Sequence, residues 1–534
     1  MSASLLIVGS GPAAAGAALA ATERDDVSVT IIDIGGRLDV ANEAARGRLA
    51  ERRPEEWRDE DLATITQQPV RSDLKGLPEK RAFGSDFPFR DFGQRGTISA
   101  DGVNAAIVSG AYGGFSNAWG AQFMPFTDAT FRDWPVGATE MERHYRAILA
   151  RIPFAAEEDD LATMFPLLGE GRRLPPLSAR SAATLARYER GRGRLNRAGV
   201  LVGKARLAFD AEECVRCGLC MTGCPYGLIY SAAQTIDALR SRSRIVYHDG
   251  LLALEVEEDG RSATVVAREI EGGRLRRFTA DRVLIACGAV GTARLVMASR
   301  RQFDVPLSVQ ESRQFRLPFL SRGAVADPRT GHDFTLNQFN MVVTHDTVGR
   351  DVSQLHFYTY NPAFVEALPA LLRHSRAARV RAALLARLSV ALGYLPSWAS
   401  PSFSLRITPP RAAGEPSGIK LESGVGERPP IHNRMLQEVI RRVSAAAPTL
   451  DLWPVLPALR MSAGGKSYHW GGIFPHALGR GSGLSTDALG RLDEWRRIHL
   501  VDSSVFPSVP ATTFALTVMA NAHRIAEGAL EEPA

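Results

Sequence analysis

The sequence predicts an α/β protein in which a Rossmann-like domain is built from discontinuous segments of the chain and an α+β domain is inserted between them. Three observations support this prediction. An apolar strand followed by a glycine-rich turn occupies residues 5–14. A second strand ending in a glycine turn spans 285–292, and a third strand lies near the C-terminus at 498–502. Together they indicate one domain assembled from the first and last parts of the chain.

The composition is that of an ordinary globular protein. The chain has 534 residues, of which 45% are hydrophobic and 23% charged, enough to bury a full core. This length accommodates roughly three domains of ~150 residues or a large two-domain enzyme. The net charge of +6 is small and no nucleic-acid motif is present, so we expect no nucleic-acid partner. Four of the five cysteines are clustered, which suits the reducing cytoplasm better than a disulfide framework.

The uncharged stretch from Ala3 to Thr22 is too interrupted to be a signal peptide or a membrane span. No basic residue precedes it, and Gly9, Gly11, Pro12 and Gly16 fall where an apolar core would be continuous. We interpret it as strand, turn and helix, and expect no export.

The N-terminal turn carries the signature of a dinucleotide site. Gly9 permits a tight turn, Gly11 allows the backbone to approach a pyrophosphate, and Ala14 stands in the third fingerprint position, where a small residue lets the helix pack closely. The next strand ends at Asp33, nineteen residues after Ala14, where a carboxylate can bind ribose hydroxyls. The pattern predicts that Gly9, Gly11, Ala14 and Asp33 bind a dinucleotide.

A cysteine run in the middle of the chain has the spacing of a ferredoxin motif. Cys214, Cys217, Cys220 and Cys224 form C-x2-C-x2-C-x3-C followed by proline. Bacterial ferredoxins hold iron–sulfur clusters on this spacing, whereas zinc sites more often separate two C-x-x-C pairs by a dozen or more residues. Because Cys287 is the only other cysteine, we expect one cluster on three or four of these thiolates. Cys287 itself is interpreted as a small buried hydrophobe.

Four blocks of sequence stand out: the N-terminal GSGPAA turn, the GGFSNAWG loop at 113–120, the CGAVGT turn at 287–292, and the stretch from His469 to Arg524. Together they resemble the glucose–methanol–choline (GMC) oxidoreductases, which are flavoenzymes that oxidise alcohols. The stretch from His469 to Arg524 is the most specific of the four. Within the family the chain looks most like a bacterial subgroup with a ferredoxin-like cysteine cluster.

The resemblance implies an FAD-binding domain and a substrate domain whose sheet faces the flavin. Gly9, Gly11, Asp33, Asn117 and Asp502 stand at positions that match the family's cofactor contacts. The loop around Asn117, which includes Gly114, would lie beside the isoalloxazine ring, where glycines permit close backbone approach.

The same resemblance places a catalytic base at His469. A neutral imidazole can take the hydroxyl proton while the C–H bond breaks, because its pKa lies near working pH. The family's second active-site residue, a histidine or asparagine, falls on Thr513, which can hydrogen-bond but cannot act as a base at neutral pH. Either His469 works alone with Thr513 orienting the substrate, or the chemistry differs from simple alcohol oxidation. Thr512 is an alternative partner, and His476 is a weaker candidate base.

The domain boundaries follow from these blocks. We predict that residues 1–130, 201–300 (with the cysteine cluster at 214–224) and 485–534 form the FAD-binding domain. Segments 131–200 and 301–484 form the substrate domain, with one sheet including Asp333 to His345 and Ser404 to Ile407. The segment 36–95 is expected to be a loop-rich excursion.

The segment 369–395 combines apolar residues with five arginines. A basic amphipathic helix of this kind can lie peripherally on a membrane and meet anionic lipid. The favoured alternative is a helix or helix pair packed on the substrate domain with its arginines in water.

These predictions converge on an FAD-dependent alcohol oxidoreductase. Its substrate would be a small-molecule alcohol, a carbohydrate or polyol by family habit, and its electrons would leave through the cluster to an external acceptor. Two alternatives stay open. One is a flavin oxidase using oxygen, with structural or zinc-binding cysteines, and the other is a non-catalytic electron-transfer flavoprotein.

Overall fold

The computed structural model describes residues 3–67, 80–90, 97–325, 333–345, 351–360, 373–423, 429–478 and 483–532. The helices within these ranges are α1 Pro12–Ala21, α2 Val40–Ala50, α3 Asp59–Ile65, α4 Ala138–Leu149, α5 Ala179–Arg197, α6 Ala232–Ser241, α7 Ala289–Ser299, α8 Ala378–Leu385, α9 Pro430–Leu450 and α10 Ala515–Glu531. The strands are β1 Ala3–Val8, β2 Val27–Ile32, β3 Ile98–Asp101, β4 Val200–Lys204, β5 Ile245–His248, β6 Leu251–Glu258, β7 Ala263–Glu269, β8 Leu275–Ala280, β9 Arg282–Ile285, β10 Leu307–Glu311, β11 Gln314–Leu320, β12 Phe339–Thr344, β13 Val352–Tyr358, β14 Leu388–Tyr394, β15 Phe403–Thr408, β16 Gly418–Ser423, β17 Trp453–Pro454, β18 Arg460–Met461, β19 Trp470–Gly471 and β20 Ile498–Leu500.

The Rossmann-like core is a five-stranded parallel sheet of order β20-β9-β1-β2-β5. Its strands come from both ends and the middle of the chain, as the three strand-and-turn motifs predicted. The helix α1 packs against α10 so closely that a Cβ at Gly16 would lie 2.2 Å from the carbonyl oxygen of Met519. This contact joins the first helix of the chain to the last, and the predicted fold class is confirmed.

Three further sheets lie outside the Rossmann-like core in the described ranges. The largest has seven strands, in the order β17-β11-β14-β13-β12-β4 with β18 beside β11, and is antiparallel. Its core packs under the helices α5 and α9, through side chains such as Phe339, Leu355 and Val439. A five-stranded sheet has the order β19-β10-β15-β16-β3, and β6, β7 and β8 form a three-stranded antiparallel sheet.

The structure corrects the predicted single sheet of the substrate domain. The strand β12, within Asp333 to His345, belongs to the seven-stranded sheet, whereas β15, which contains Ser404 to Ile407, belongs to the five-stranded sheet. Both strands are buried, and burial predicts a strand without specifying its neighbours. The predicted domain boundary at residue 200 falls at the start of β4, which pairs with β12. The division into domains otherwise stays a prediction.

Two segments differ from their predicted local structure. The excursion at 36–95 contains the helices α2 and α3, with residues 68–79 and 91–96 outside the described part. The arginine-rich segment is not one helix: α8 covers only Ala378–Leu385, residues 369–372 lie outside the described part, and β14 is an inner strand of the seven-stranded sheet. The leucine and valine residues in 388–394 are compatible with a strand as well as a helix, so pairing with the neighbouring strands decided that this segment forms β14.

No helix in the described ranges is both long and apolar enough to cross a membrane.

Candidate active site

A cavity of about 410 Å³ lies between the Rossmann-like sheet and the seven-stranded sheet. One part of its wall comes from the turns that follow β1, β2 and β9, and another from the inner strands β13 and β14. Ligand sites in open α/β sheets form at the carboxyl ends of the strands, so this is the expected place for a dinucleotide.

The first turn faces the cavity as its sequence predicted. Gly9 has φ +110°, and a Cβ there would lie 2.5 Å from the carbonyl oxygen of Ala286, so only glycine fits. At Gly11 a Cβ would meet nothing within 4 Å, because the residue opens onto the cavity that it lines. A bound pyrophosphate could therefore approach the backbone at Gly11, next to the N-terminus of α1.

Asp33 stands at the end of β2 and also lines the cavity. Ser10 Oγ and Tyr247 Oη donate hydrogen bonds to its Oδ2, the second at 3.1 Å, and the Gly113 amide donates to Ser10 Oγ at 2.9 Å. Burial raises the pKa of Asp33 to about 6, against the effect of these donors. The carboxylate is thus held in a fixed orientation at the cavity wall, where the sequence predicts ribose binding.

Three predicted cofactor residues have different placements. Gly114 lines the cavity with φ +60°, and a Cβ there would lie 3.3 Å from the Cα of Gly11. Asn117 does not line the cavity; its side-chain amide donates to the carbonyl oxygens of Tyr112 at 2.9 Å and Gly114 at 2.8 Å, so it shapes the loop. Ala14 is buried within α1, away from the cavity lining, as a packing residue would be.

Asp502 follows β20 and lines the cavity from the C-terminal part of the chain. Thr292 Oγ1 donates to its Oδ2, and the Ser504 amide donates to its Oδ1 at 2.9 Å. Burial raises the pKa of this carboxyl group above its ordinary value. The half-buried Cys287 also lines the cavity, with its thiol 3.6 Å from the carbonyl oxygen of Val8. Cys287 is therefore a cavity residue as well as a packing one.

His469 lies in the same cavity. Its imidazole stacks on Tyr394, with ring centroids 4.6 Å apart, and meets the edge of Phe514 at 5.1 Å. Its Nδ1 is buried without a hydrogen-bond partner among the described residues. Burial lowers the pKa of His469 to about 3, which corrects the expected value near working pH and leaves the ring neutral at physiological pH. The residue before it, Tyr468, has φ +55°, which turns the backbone toward the cavity.

Thr513 is brought to the same cavity as His469, and its buried Oγ1 has no partner in the described structure. Thr512 is also buried but does not line the cavity. His476 is a structural residue: its Nδ1 bonds the carbonyl oxygen of Asp487 at 2.6 Å, and Asn521 Nδ2 donates to its Nε2 at 3.3 Å. The weaker candidate base is thereby removed, because both ring nitrogens of His476 are occupied outside the cavity.

The cysteine loop wraps tightly around its thiols. Arg216, Gly218, Gly223 and Gly227 all have positive φ, which folds the chain back on itself. Cys220 is buried, and Cys214, Cys217 and Cys224 are partly buried. Burial raises the pKa of Cys214 to about 11 and that of Cys217 to about 12. Thiols in this environment ionise only when a metal supplies compensating charge.

Backbone amides face all four sulfur atoms. The Arg216 amide donates to Cys214 Sγ at 3.4 Å, and the Thr335 amide to Cys220 Sγ at 3.3 Å. Cys217 accepts from the Leu219 amide, and Cys224 from the amides of residues 226, 228 and 229. Amide donors of this kind stabilise negatively charged sulfur around iron–sulfur clusters. Across the described ranges, no three His, Cys, Asp or Glu side chains converge closely enough to hold a single metal ion.

The cysteine loop adjoins the cavity. Met221, the residue after Cys220, lines the cavity together with Trp119. The ammonium group of Lys80 donates to the carbonyl oxygen of Trp119 at 3.0 Å. It also lies near Cys220 and Cys224. Met221 and Lys80 were not predicted, because nothing in their local sequence indicates that the two sites are neighbours, whereas Trp119 belongs to the loop that the sequence placed beside the cofactor.

Comparison with known proteins gives one match for the cysteine loop and several for the fold of the whole chain. Residues 207–230 match the family model of the 4Fe-4S binding domain. No curated protein matches the sequence. The structure is similar to pyridoxine 4-oxidase from Mesorbium loti, with TM-score 0.61, 15% identity and coverage of 100% of both chains. It is also similar to two variants of formate oxidase from Aspergillus oryzae RIB40 in which FAD modification was studied, with TM-scores 0.61 and 0.58. These share 14% and 13% identity, and each match covers 98% of this chain and 97% of the other.

These matches show that the chain shares the fold of pyridoxine 4-oxidase and formate oxidase over nearly its whole length. At this level of identity the likeness establishes the fold alone. The ferredoxin-type segment also matches a sequence family.

Proposed function

We propose that this protein is an FAD-dependent oxidoreductase that oxidises an alcohol and passes the electrons to an iron–sulfur cluster. The single observation that carries the proposal is that His469 and the dinucleotide turn at Gly9 and Gly11 line one cavity. A cofactor bound at the turn would place its reactive end in the space that His469 faces.

The residues fit FAD. The backbone at Gly11 is open to a pyrophosphate, and Asp33 is oriented for a ribose by Ser10 and Tyr247. Gly114 approaches Gly11 closely without a side chain that would exclude the ligand. The Asn117 side chain donates to the Gly114 carbonyl oxygen and so holds the loop that forms this part of the cavity wall. Bound FAD supplies the acceptor for a hydride.

His469 takes the proton of the substrate hydroxyl. Because its ring is neutral, a nitrogen lone pair is available to accept the O–H proton. The hydrogen on the carbinol carbon leaves with two electrons, and the C–O bond becomes C=O. Tyr394 and Phe514 hold the imidazole plane and exclude water from it. Ser467 Oγ accepts a hydrogen bond from the His469 amide at 3.1 Å, which fixes the backbone that carries the imidazole.

The cysteine loop is proposed to hold one 4Fe-4S cluster on Cys214, Cys217, Cys220 and Cys224. The C-x2-C-x2-C-x3-C spacing and the match of residues 207–230 to the 4Fe-4S binding domain favour this cluster over a zinc ion. The amides that face each sulfur support the same assignment.

Electron transfer from the cofactor to the cluster is supported by the position of Met221, which belongs to the cysteine loop and also lines the cavity. We therefore propose a dehydrogenase with an external electron acceptor over an oxidase. A carbohydrate or polyol substrate is proposed from the family resemblance.

Location in the cytoplasm is proposed because clustered free thiols require reducing conditions. The arginine-rich segment keeps one feature of a peripheral lipid contact. Val380 on α8 is 61% exposed, beside the exposed Arg376 and Arg379. Such a contact would be electrostatic and reversible.

Anaerobic mixing of the purified holoprotein with candidate alcohols tests the oxidation. Bleaching of the flavin absorbance followed by appearance of carbonyl product is expected. Persistence of the oxidised flavin with every polyol and simple alcohol would favour the non-catalytic electron-transfer alternative. Iron analysis and EPR of the freshly prepared protein test the cluster, and stoichiometric zinc in place of iron would favour the oxidase alternative.

A further inference from the structure

The seven-stranded sheet contributes a polar group to the cavity that neither the motifs nor the resemblance predicted. His356 on β13 lines the cavity and is 2% exposed. Its Nε2 is buried and has no hydrogen-bond partner among the described residues. A buried polar atom without a partner costs free energy, so its retention in a cavity wall points to a ligand that satisfies it.

His356 lies close to the proposed base. Its ring is 5.0 Å from that of Tyr394, and Tyr394 stacks on His469 at 4.6 Å. The two imidazoles are near enough that a charge on His469 disfavours a charge on His356. Burial and this neighbour lower the pKa of His356 to about 3, so at neutral pH its ring has one N–H donor and one acceptor.

Tyr394 is held in place by a polar chain behind it. Gln314 Nε2 donates to Tyr394 Oη at 2.9 Å, and Ser462 Oγ donates to Gln314 Oε1 at 3.0 Å. The second bond fixes which end of the Gln314 amide faces the tyrosine. Because Tyr394 contacts both imidazoles, this chain also fixes the distance between His356 and His469.

We propose that His356 is a substrate-binding residue that donates a hydrogen bond to the reacting oxygen. This inference rests on the proposed alcohol oxidation. While His469 accepts the hydroxyl proton, negative charge develops on that oxygen until the C=O bond is complete. A second imidazole N–H stabilises this charge without itself transferring a proton. The donor comes from the substrate-domain sheet rather than from the C-terminal segment that carries Thr513.

The test compares two substitutions of similar volume in the holoprotein. His356→Leu removes the donor, whereas His356→Gln keeps an amide N–H. At saturating alcohol, His356→Leu is expected to lower the rate constant of flavin reduction by about 10²–10³-fold, as loss of one such donor does elsewhere. His356→Gln is expected to stay within about tenfold of the native rate. His374→Gln, an exposed histidine outside the cavity, serves as the control.

The outcomes separate this inference from the proposed function. If the alcohol reduced the flavin of His356→Leu at the native rate while His469→Ala was inactive, the role of His356 would be overturned and the proposed alcohol oxidation would stand. An equal loss in the Leu and Gln variants, with flavin content and melting temperature retained, would also overturn it, since a donor would not be the relevant property. A native protein that no alcohol reduces would overturn both. Thr513→Val should cost less than His356→Leu, and the reverse order would contradict the proposal.

Discussion

The ring of Tyr394 stacks on the imidazole of His469 with planes inclined by 22° and centroids 4.6 Å apart. Tyr394 belongs to an inner strand of the seven-stranded sheet, whereas His469 precedes the short strand β19 of the five-stranded sheet. The contact therefore fixes the proposed base against the substrate-facing sheet. A change in either sheet would be transmitted to the position of the imidazole.

Replacing His469 with alanine is expected to abolish substrate-dependent flavin reduction while FAD stays bound. Loss of a general base typically lowers a rate by about 10²–10⁴-fold. Rapid mixing under anaerobic conditions measures the reduction, and the flavin-to-protein absorbance ratio measures cofactor content. His374→Ala is the matched control, because this histidine is exposed and outside the cavity. Reduction at the native rate in His469→Ala would refute the assignment of the base.

Replacing Cys217 with serine is expected to remove the cluster. A hydroxyl is a poor substitute for a thiolate ligand, so iron should fall from about four atoms per chain toward zero. Cys287→Ser is the control, since Cys287 lies in the cavity wall and not in the cysteine loop, and it should keep its iron. Iron and EPR signal are measured on freshly purified protein. Equal iron in both variants would contradict the assignment.

Three glycines distinguish folding from cofactor binding. Gly9→Ala places a Cβ 2.5 Å from a backbone oxygen at φ +110°, so it should lower the free energy of unfolding by at least about 1–3 kcal/mol. Gly11→Ala meets no protein atom and has φ −72°, so the fold should be preserved while FAD retention falls. Gly47→Ala, inside α2 with open space around it, should be neutral or stabilising.

Denaturant titrations of the FAD-free proteins and flavin content after gel filtration measure these two properties separately. If Gly11→Ala kept FAD as firmly as the native chain, the turn would not be the pyrophosphate site.

Acid is expected to weaken the part of the fold's stability that depends on buried neutral histidines. Burial lowers the pKa of His476 to about 3 and that of His499 to about 4, below the unfolded value of about 6.5. Between these limits the two histidines bind more protons in the unfolded chain than in the folded one, so their contribution to the free energy of unfolding falls as pH falls from about 6.5 toward 4. The raised pKa of Asp33, about 6, contributes a slope of the opposite sign in the lower part of this range. Each such histidine contributes a slope of up to ~1.4 kcal/mol per pH unit.

The measurement is urea unfolding at several pH values between 7.5 and 4.5. His476→Gln should reduce the slope by about one proton, whatever its effect on stability at pH 7.5. An unchanged slope in this variant would show that His476 is not buried as a neutral ring.

Much of the dinucleotide site could be predicted from the sequence because its requirements are local. Gly9 must adopt a positive φ, Gly11 must lack a side chain, and Asp33 must end the next strand, and each condition is encoded within a few residues. The cysteine spacing is local in the same way. The structure corrects the role of one predicted cofactor residue: Asn117 shapes its loop and does not line the cavity.

Other features depended on contacts that sequence patterns do not specify. Leu388–Tyr394 has the composition of a helix or a strand, and only pairing with β11 and β13 made it an inner strand. His476 was the weaker candidate base, seven residues from His469, and the structure shows why it does not serve: it is bonded at both ring nitrogens, whereas His469 faces the cavity.

By itself the sequence determined the fold class, the cofactor turn and the thiol cluster, since these follow from short-range backbone geometry and residue spacing. Only the tertiary structure decided which histidines share the cavity and that the cysteine loop adjoins it. His356 and His469 are 113 residues apart, and Met221 and Gly11 line the same cavity. Such neighbours are set by how sheets and helices pack to bury apolar surface, which no local pattern records.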